Sequence, residues 1–387
     1  MKKELLFITL FLILLSPSAW AKKFAGDYLS YAKSVADTEM ARGYQETTYR
    51  ENWNYKQAFL CNAYLKLFEA TQDSVYYEYV KSMADSFLDE RGVIKTYYPE
   101  AFDLRNVYGG NFLYDIYYHN RGGIKYLNAM ASLRRQLHQH TRTQNRMFVF
   151  SQAHAGQVRI DGLYMAMPFY CLYASVFDEP KIFGDVVLQF SMLDRQTLDK
   201  ATGLNYQAWD ENKMAAWADK TTGTTSALFG QSIGFYMMAL VDVLDYFPID
   251  NEYRNEILKK LNRLAASLIK YQDSKSGMWY QVVDKPKDRN NFRESSSTAM
   301  YAYAIAKGVN NGYLPKKYRK AAQKAFKGLV NHSLEYNGET SIVTKATADA
   351  ELDKGDGTFD FYIQLPQKNS EPNAVAAFIL AAVELAK

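Results

Sequence analysis

Apolar side chains recur at three- and four-residue intervals along most of the chain, the spacing that gives a helix one buried stripe. The pattern predicts twelve helices, over residues 24–42, 54–70, 75–90, 108–119, 122–140, 159–177, 179–197, 224–247, 250–272, 292–310, 315–333 and 370–386. They pair through short connections such as Asn120-Arg121-Gly122-Gly123 and Asn310-Asn311-Gly312. Short loops between helices make antiparallel neighbours. The pairs are unequal in character. Segments 54–70, 159–177, 224–247 and 292–310 are apolar or aromatic nearly all round, whereas 75–90, 122–140, 250–272 and 315–333 carry Lys, Arg, Asp and Glu on one face. The first kind fits burial and the second a periphery. An inner ring wrapped by an outer ring explains the alternation. The fold class is therefore all-α, and six such hairpins make an (α/α)6 toroid. An open α-solenoid is the alternative, and no fixed-period repeat favours it.

Ahead of the first helix, Lys2 and Lys3 precede an apolar run from Leu5 to Leu15, followed by Ser16-Pro17-Ser18 and Ala19-Trp20-Ala21. This reads as a signal peptide over 1–21, cut after Ala21. The run falls short of the roughly 20 apolar residues that a membrane span needs. The expectation is a periplasmic or secreted protein whose mature chain has no membrane anchor, with 22–387 forming a single domain. Hydrophobic residues are 48% of the chain, enough for a large core. The net charge of +4 is mild and its Lys and Arg are scattered, which gives nucleic-acid binding little support. Cys61 and Cys171 both fall in apolar helical patterns. They are either a disulfide of an oxidising compartment or two buried thiols. Tyrosines are abundant, at 31, and serve equally for stacking on sugars and for filling the core.

Two connections are long. Residues 198–223 contain Trp209 and Trp217, and residues 334–369 are β-prone and rich in Gly and Asp, with Asp353-Lys354-Gly355-Asp356-Gly357. Long loops in a compact domain are commonly functional, and aromatic loops at one rim of a toroid would line a groove. The 349–360 stretch lacks the glycine and closing glutamate of an EF-hand loop and reads as a turn. The chain has no HExxH, GxSxG, P-loop or CxxC pair, and only five histidines. His138 and His140 are expected on a solvated helix face, while His154 precedes an inner helix and could approach a groove. Neither a metal nor a cofactor is expected. The segment Gln157-Val158-Arg159-Ile160-Asp161-Gly162-Leu163-Tyr164-Met165 places an acid at the opening of a strongly apolar helix. Asp161 there is either an N-cap, accepting free backbone N–H groups, or the catalytic acid at the mouth of a toroid.

The sequence resembles glycoside hydrolase family 105, the unsaturated rhamnogalacturonyl and related unsaturated uronyl hydrolases, over most of the mature chain. The resemblance rests on Glu51-Asn52-Trp53-Asn54-Tyr55, Ile160-Asp161-Gly162-Leu163-Tyr164-Met165, Tyr206-Gln207-Ala208-Trp209-Asp210 and Trp217-Ala218-Asp219. It continues through Ile233-Gly234-Phe235-Tyr236, Gly277-Met278-Trp279-Tyr280, Glu294-Ser295-Ser296, Gly312-Tyr313-Leu314 and Gly357-Thr358-Phe359. It implies the same toroid and an uncommon chemistry. Most glycosidases use two carboxylates flanking the scissile bond. This family hydrates the C4=C5 double bond of an unsaturated uronic acid left by a lyase, with one Asp as acid and base. The resemblance gives that role to Asp161.

It also marks departures. The family's second acid falls on Asn106, its His on Gln207, its Trp-Gly-Arg block on Phe229-Gly230-Gln231, and a further Trp on Phe235. Tyr55 and Met165 match substrate-contacting positions, and Trp209 belongs to the same set of site candidates. An Arg can grip a uronate carboxylate with two charge-assisted hydrogen bonds, whereas Gln231 offers a neutral amide. Arg105, Arg159 or Arg293 could restore the charge. Three expectations follow. The first is a hydrolase of lyase-generated, acidic oligosaccharides. The second is a hydrolase of a saturated or neutral glycoside, with Asp210, Asp219 or Glu294 as the second carboxylate. The third is a catalytically impaired sugar-binding protein that stacks sugars on Trp209, Trp217, Trp279, Phe229 and Phe235.

Overall fold

The computed structural model describes residues 27–43, 51–120 and 123–387. The signal peptide expected over 1–21 and the Arg121-Gly122 step lie outside the described residues. All twelve expected helices are present, with boundaries that differ by a few residues: α1 Tyr28–Arg42, α2 Tyr55–Thr71, α3 Ser74–Phe87, α4 Gly110–His119, α5 Ile124–Gln139, α6 Ile160–Val176, α7 Lys181–Thr197, α8 Gly230–Val243, α9 Arg254–Lys270, α10 Ser295–Asn310, α11 Arg319–His332 and α13 Pro372–Ala386. A short helix, α12 Phe359–Ile363, is added within the last long connection. Among the described residues, eight short strands pair two by two in the loops. They are β1 Gln157–Arg159 with β2 Ala208–Asp210, β3 Trp279–Tyr280 with β4 Arg293–Glu294, β5 Leu334–Tyr336 with β6 Ser341–Val343, and β7 Ala346–Thr347 with β8 Gln367–Lys368.

The helices form two concentric layers. Helix α2 packs on α13, α13 on α10, α10 on α8 and α8 on α6, while α4 bridges α6 back to α2 and closes the inner ring. Each outer helix backs an inner one: α1 on α13, α3 on α2, α5 on α4, α7 on α6, α9 on α8 and α11 on α10. This is the (α/α)6 toroid. Every residue of α8, and all of α13 from Pro372 to Leu385, is buried. Outer α9 buries only Ile257, Leu261, Leu264, Ala265, Ser267 and Leu268, one face of the helix. Small residues let the inner helices approach closely. A Cβ on Gly234 of α8 would come 2.7 Å from Sδ of Met300 on α10. No helix among the described residues is long and apolar enough to cross a membrane.

Local sequence sets where the inner helices begin. Asn54 caps α2 by accepting from Gln57 N at 3.0 Å, and Glu294 caps α10 by accepting from Ser296 N and Ser297 N. The first turns of α2, α6, α8 and α13 meet at one rim, where the long connections cover them. At the opposite end Lys307 is buried against Asp242 (2.8 Å) and Asp245 (2.6 Å). Cys61 and Cys171 are buried free thiols rather than a disulfide. His140 departs from expectation. It is 4% exposed, its Nε2 lies 2.9 Å from the Val149 carbonyl, and burial pushes its pKa down to about 4. The returning 141–149 segment covers a helix end that the sequence pattern leaves open to solvent.

Candidate active site

The rim encloses a cavity of about 460 Å³, counting its open mouth. Three inner helices supply its wall from their first two turns: Tyr55 from α2, Asp161 and Met165 from α6, and Gln231 and Phe235 from α8. The connections supply Arg105, Phe150, Arg159, Asp349, Ala350 and Glu351. Side chains four apart lie one above the other on a helix. That is why Asp161 pairs with Met165, and Gln231 with Phe235, on one face.

Asp161 is the second residue of α6, one position inside the helix rather than at its cap, which is Arg159. Its Oδ1 accepts the Gly162 N–H at 3.0 Å and its Oδ2 accepts the Ser232 hydroxyl at 3.2 Å. The positive end of the helix dipole favours the carboxylate here, as do Arg159 and Ser232. Burial outweighs them, with the nearby Asp349 charge adding to it, and the pKa of Asp161 is raised. Strand β1 sets this geometry. Arg159 pairs with Ala208 of β2, and Ile160 N donates to the Gln207 carbonyl at 2.9 Å.

The floor is aromatic and its side wall is ionic. Phe235 stacks on Tyr164 (5.5 Å between centroids) and meets the edge of Tyr55 at 6.3 Å. The Tyr55 hydroxyl donates to Asp349 at 2.6 Å, and burial holds its own pKa well above the usual value. Asn373 of α13 donates to the other Asp349 oxygen at 2.8 Å, and Lys56 lies 3.2 Å from Asp349 while pairing with Glu371. These long-range bonds bring a loop carboxylate into the cavity. A second, smaller core beneath the loops anchors the same lip. It contains Ala208, Trp217, Phe229, Val282, Ala350, Leu352 and Tyr362.

The structure divides the sequence-derived candidates. It brings Tyr55, Asp161, Met165, Gln231 and Phe235 together in the cavity wall. Asn106 lies on the short 3-10 turn Leu104–Val107 outside that wall, where its carbonyl accepts the Trp53 indole N–H at 2.7 Å. Its neighbour Arg105 lines the cavity instead. Gln207 lies beneath the wall, is 1% exposed and accepts the Tyr362 hydroxyl at 2.6 Å. Phe229 stacks on Tyr362 (4.6 Å, 9°) inside the smaller core, and Trp209 is buried with its indole N–H on the Thr222 carbonyl at 3.1 Å. Trp217 and Trp279 are buried as well, so these tryptophans pack the loops onto the ring.

Of the three arginines, Arg105 and Arg159 face the cavity, while Arg293 stands on β4 beside Asp273 at 3.8 Å. Asp210 accepts from Asn212 N, Met214 N and Ala215 N, and Asp219 from Thr221 N and Thr222 N. Both are loop caps. Asp349 and Glu351 are cavity acids that sequence reasoning missed, and nothing local to residue 349 signals its bonds to residues 55 and 373. His154, which the sequence allows to approach a groove, pairs with the Ser151 hydroxyl at 2.6 Å and meets the cavity-lining Phe150 at 6.0 Å between ring centroids, outside the wall itself.

A helical double ring with a buried acid at the opening of an inner helix fits a known group of proteins. Residues 31–387 match Glycosyl Hydrolase Family 88. The chain belongs to this family. Its fold is close to that of a solved glycoside hydrolase of family 105 from C. acetobutylicum, with a TM-score of 0.88 and 32% identity over 92% of this chain and 99% of that one. An unsaturated 3S-rhamnoglycuronyl hydrolase of Formosa agariphila is 25% identical over 233 residues, 59% of this chain and 57% of the relative. A solved unsaturated glucuronyl hydrolase of Bacillus sp. GL1 shares the fold at 12% identity, with a TM-score of 0.69 over 93% of this chain and 96% of that one. The chain is thus a glycoside hydrolase, and the resemblance read from its motifs agrees with the match.

Proposed function

We propose that this hydrolase removes an unsaturated uronic acid from the end of lyase-generated oligosaccharides by hydrating its C4=C5 double bond. The observation that carries this reading is Asp161, a carboxyl at the cavity wall whose pKa is raised by burial. A raised pKa keeps a proton available for donation closer to neutrality. In the proposed step, Asp161 gives its proton to C4 while a water oxygen bonds to C5, and the proton shed by the water returns to the carboxylate. The resulting C5 hemiketal opens by breaking the bond between C5 and the ring oxygen. The ring oxygen remains on C1 as a hemiacetal hydroxyl, and C1 then expels the neighbouring sugar as an alcohol. The leader pattern read in the sequence over 1–21 supports a periplasmic or extracellular setting for this activity. The test is to supply lyase-treated pectic, arabinogalactan and algal oligosaccharides. Absorbance of the conjugated alkene is expected to fall with release of the shortened sugar, and mass spectrometry identifies the products.

Asp349 favours a second reading. It supplies another carboxylate to the same cavity, and two carboxylates are what conventional hydrolysis of a saturated glycoside needs. Release of nitrophenol from saturated nitrophenyl glycosides, with lyase products untouched, would select this reading over the first.

A further inference from the structure

The cavity holds two guanidinium groups in different states. Arg105 is bound by Asp103, with contacts at 3.0, 3.1 and 2.6 Å, so its charge is matched within the protein. Arg159 is 6% exposed, and among the described residues no hydrogen bond or ion pair involves its guanidinium; its Nε is buried without an acceptor. The contact it does make is with the face of Phe150, 4.1 Å from the ring centroid. Phe150 carries Arg105 as well, at 5.2 Å, so one ring orients both cations toward the cavity.

A buried charge is normally paired, because leaving it unpaired costs several kcal/mol. Arginine does not escape by losing its proton. Asp161, two residues along, draws the guanidinium through space but does not bond it. Gln231, where the resemblance expects an arginine, is neutral and spends its amide N–H on the Thr347 carbonyl at 3.2 Å. Among the described residues, Arg159 is therefore the cavity cation with no bonded anion, although Asp161 and Asp353 act on it through space, and its planar fork suits a planar anion.

We propose that Arg159 is the specificity-determining anchor for the carboxylate of the substrate's terminal sugar, taking that anion in a bidentate grip on its Phe150 platform. This rests on the proposed action at an unsaturated uronyl end. It moves the charge that recognises the uronate from the first turn of α8 to the end of β1. The carboxylate then lies beside the carboxyl of Asp161, with the C4=C5 bond within its reach.

The test compares wild type, R159Q, R159K and R105Q on the lyase product the wild type turns over fastest, supplied as the free acid and as its methyl ester. R159Q is expected to raise KM for the acid about 10- to 100-fold, the range for a lost charged hydrogen bond, with a smaller change in kcat. It is also expected to abolish the preference for acid over ester. R159K should keep part of that preference, and R105Q should keep most of it. A merely structural role would weaken acid and ester alike. If R159Q discriminates acid from ester as the wild type does, the anchor is wrong and the hydration reading stands. If R159Q does not fold, R159K decides, and an unchanged preference overturns the anchor. If the wild type turns over no lyase product, the hydration reading fails, and calorimetry with glucuronate and its methyl ester judges the anchor by itself. Wild type is then expected to bind glucuronate at least tenfold more tightly than the ester and R159Q is not, while equal binding of the two by wild type overturns the proposal.

Discussion

Glu294 is where the structural account separates most sharply from a two-carboxylate mechanism. Its side chain is fully enclosed at the start of α10. One oxygen accepts Ser296 N (2.9 Å) and Thr347 N (3.0 Å), and the other accepts Ser297 N (2.6 Å) and the Ser297 hydroxyl (2.7 Å). The Thr347 carbonyl in turn holds Gln231 in the cavity wall. Glu294→Gln keeps the shape and removes the charge. The amide fits best with its NH2 toward Ser297, whose hydroxyl can turn to accept but whose backbone N–H cannot. One stranded buried N–H costs about 1–3 kcal/mol, and weakening the remaining charge-assisted bonds adds about 1–2, for a total of roughly 2–5 kcal/mol. At about 2 °C per kcal/mol for a large chain, that lowers the melting temperature by roughly 4–10 °C. Scanning calorimetry on both proteins measures this, and the specific activity of the folded enzyme at 25 °C gives the second readout. The account expects a clear thermal loss with kcat/KM changed little. Melting within 1 °C of wild type, or a fall in kcat of about 10²-fold or more with the fold intact, would refute it, the latter being what loss of a catalytic acid produces.

Other outcomes follow from the same geometry. Asp161→Asn should lower turnover by at least about 10²-fold while the protein still folds. Because burial raises this carboxyl's pKa, the stability it contributes is complete below the unfolded value of 3.8 and is lost as pH rises through the folded value. The Asn variant should therefore melt above wild type at neutral pH, with the gap closing under acid. A lower melting point at pH 7 would contradict this. Burial also pushes the Cys61 thiol up to about 12 and the Cys171 thiol well above its usual value. Iodoacetamide should label neither in the native protein and both after denaturation, as read by mass spectrometry; rapid native labelling would show the thiols to be accessible.

The ring was legible because its causes are periodic. All-round apolar stretches such as 224–247 can only be interior, and one-faced stretches such as 250–272 can only cover them. Helix α12 escaped because five residues are too few for a period; it depends on Thr358 accepting from Phe361 N and on the smaller core below. Five site candidates share the cavity wall because the first turns of inner helices converge on one rim, and residues four apart share a face. Asn106 illustrates the opposite limit. On a tight 3-10 turn, a shift of one residue reverses which side chain faces the cavity, and Arg105 takes that place. Asp349 depends on partners about 24 and 294 positions away in sequence, and no local pattern carries such information. His140 was misplaced for a related reason, since the strand-like return at 141–149 that buries it has no helical signature.

The central claim is hydration of a lyase-made double bond with Asp161 as acid and base. It is tested most directly by following the alkene absorbance of lyase-generated oligosaccharides with wild type and Asp161→Asn side by side, in water enriched in heavy oxygen. The account predicts that absorbance falls with wild type alone, and that the released sugar, no longer unsaturated, carries heavy oxygen on C5, as hydration there requires. Release of the terminal sugar with the double bond intact, or equal turnover by Asp161→Asn, would contradict it.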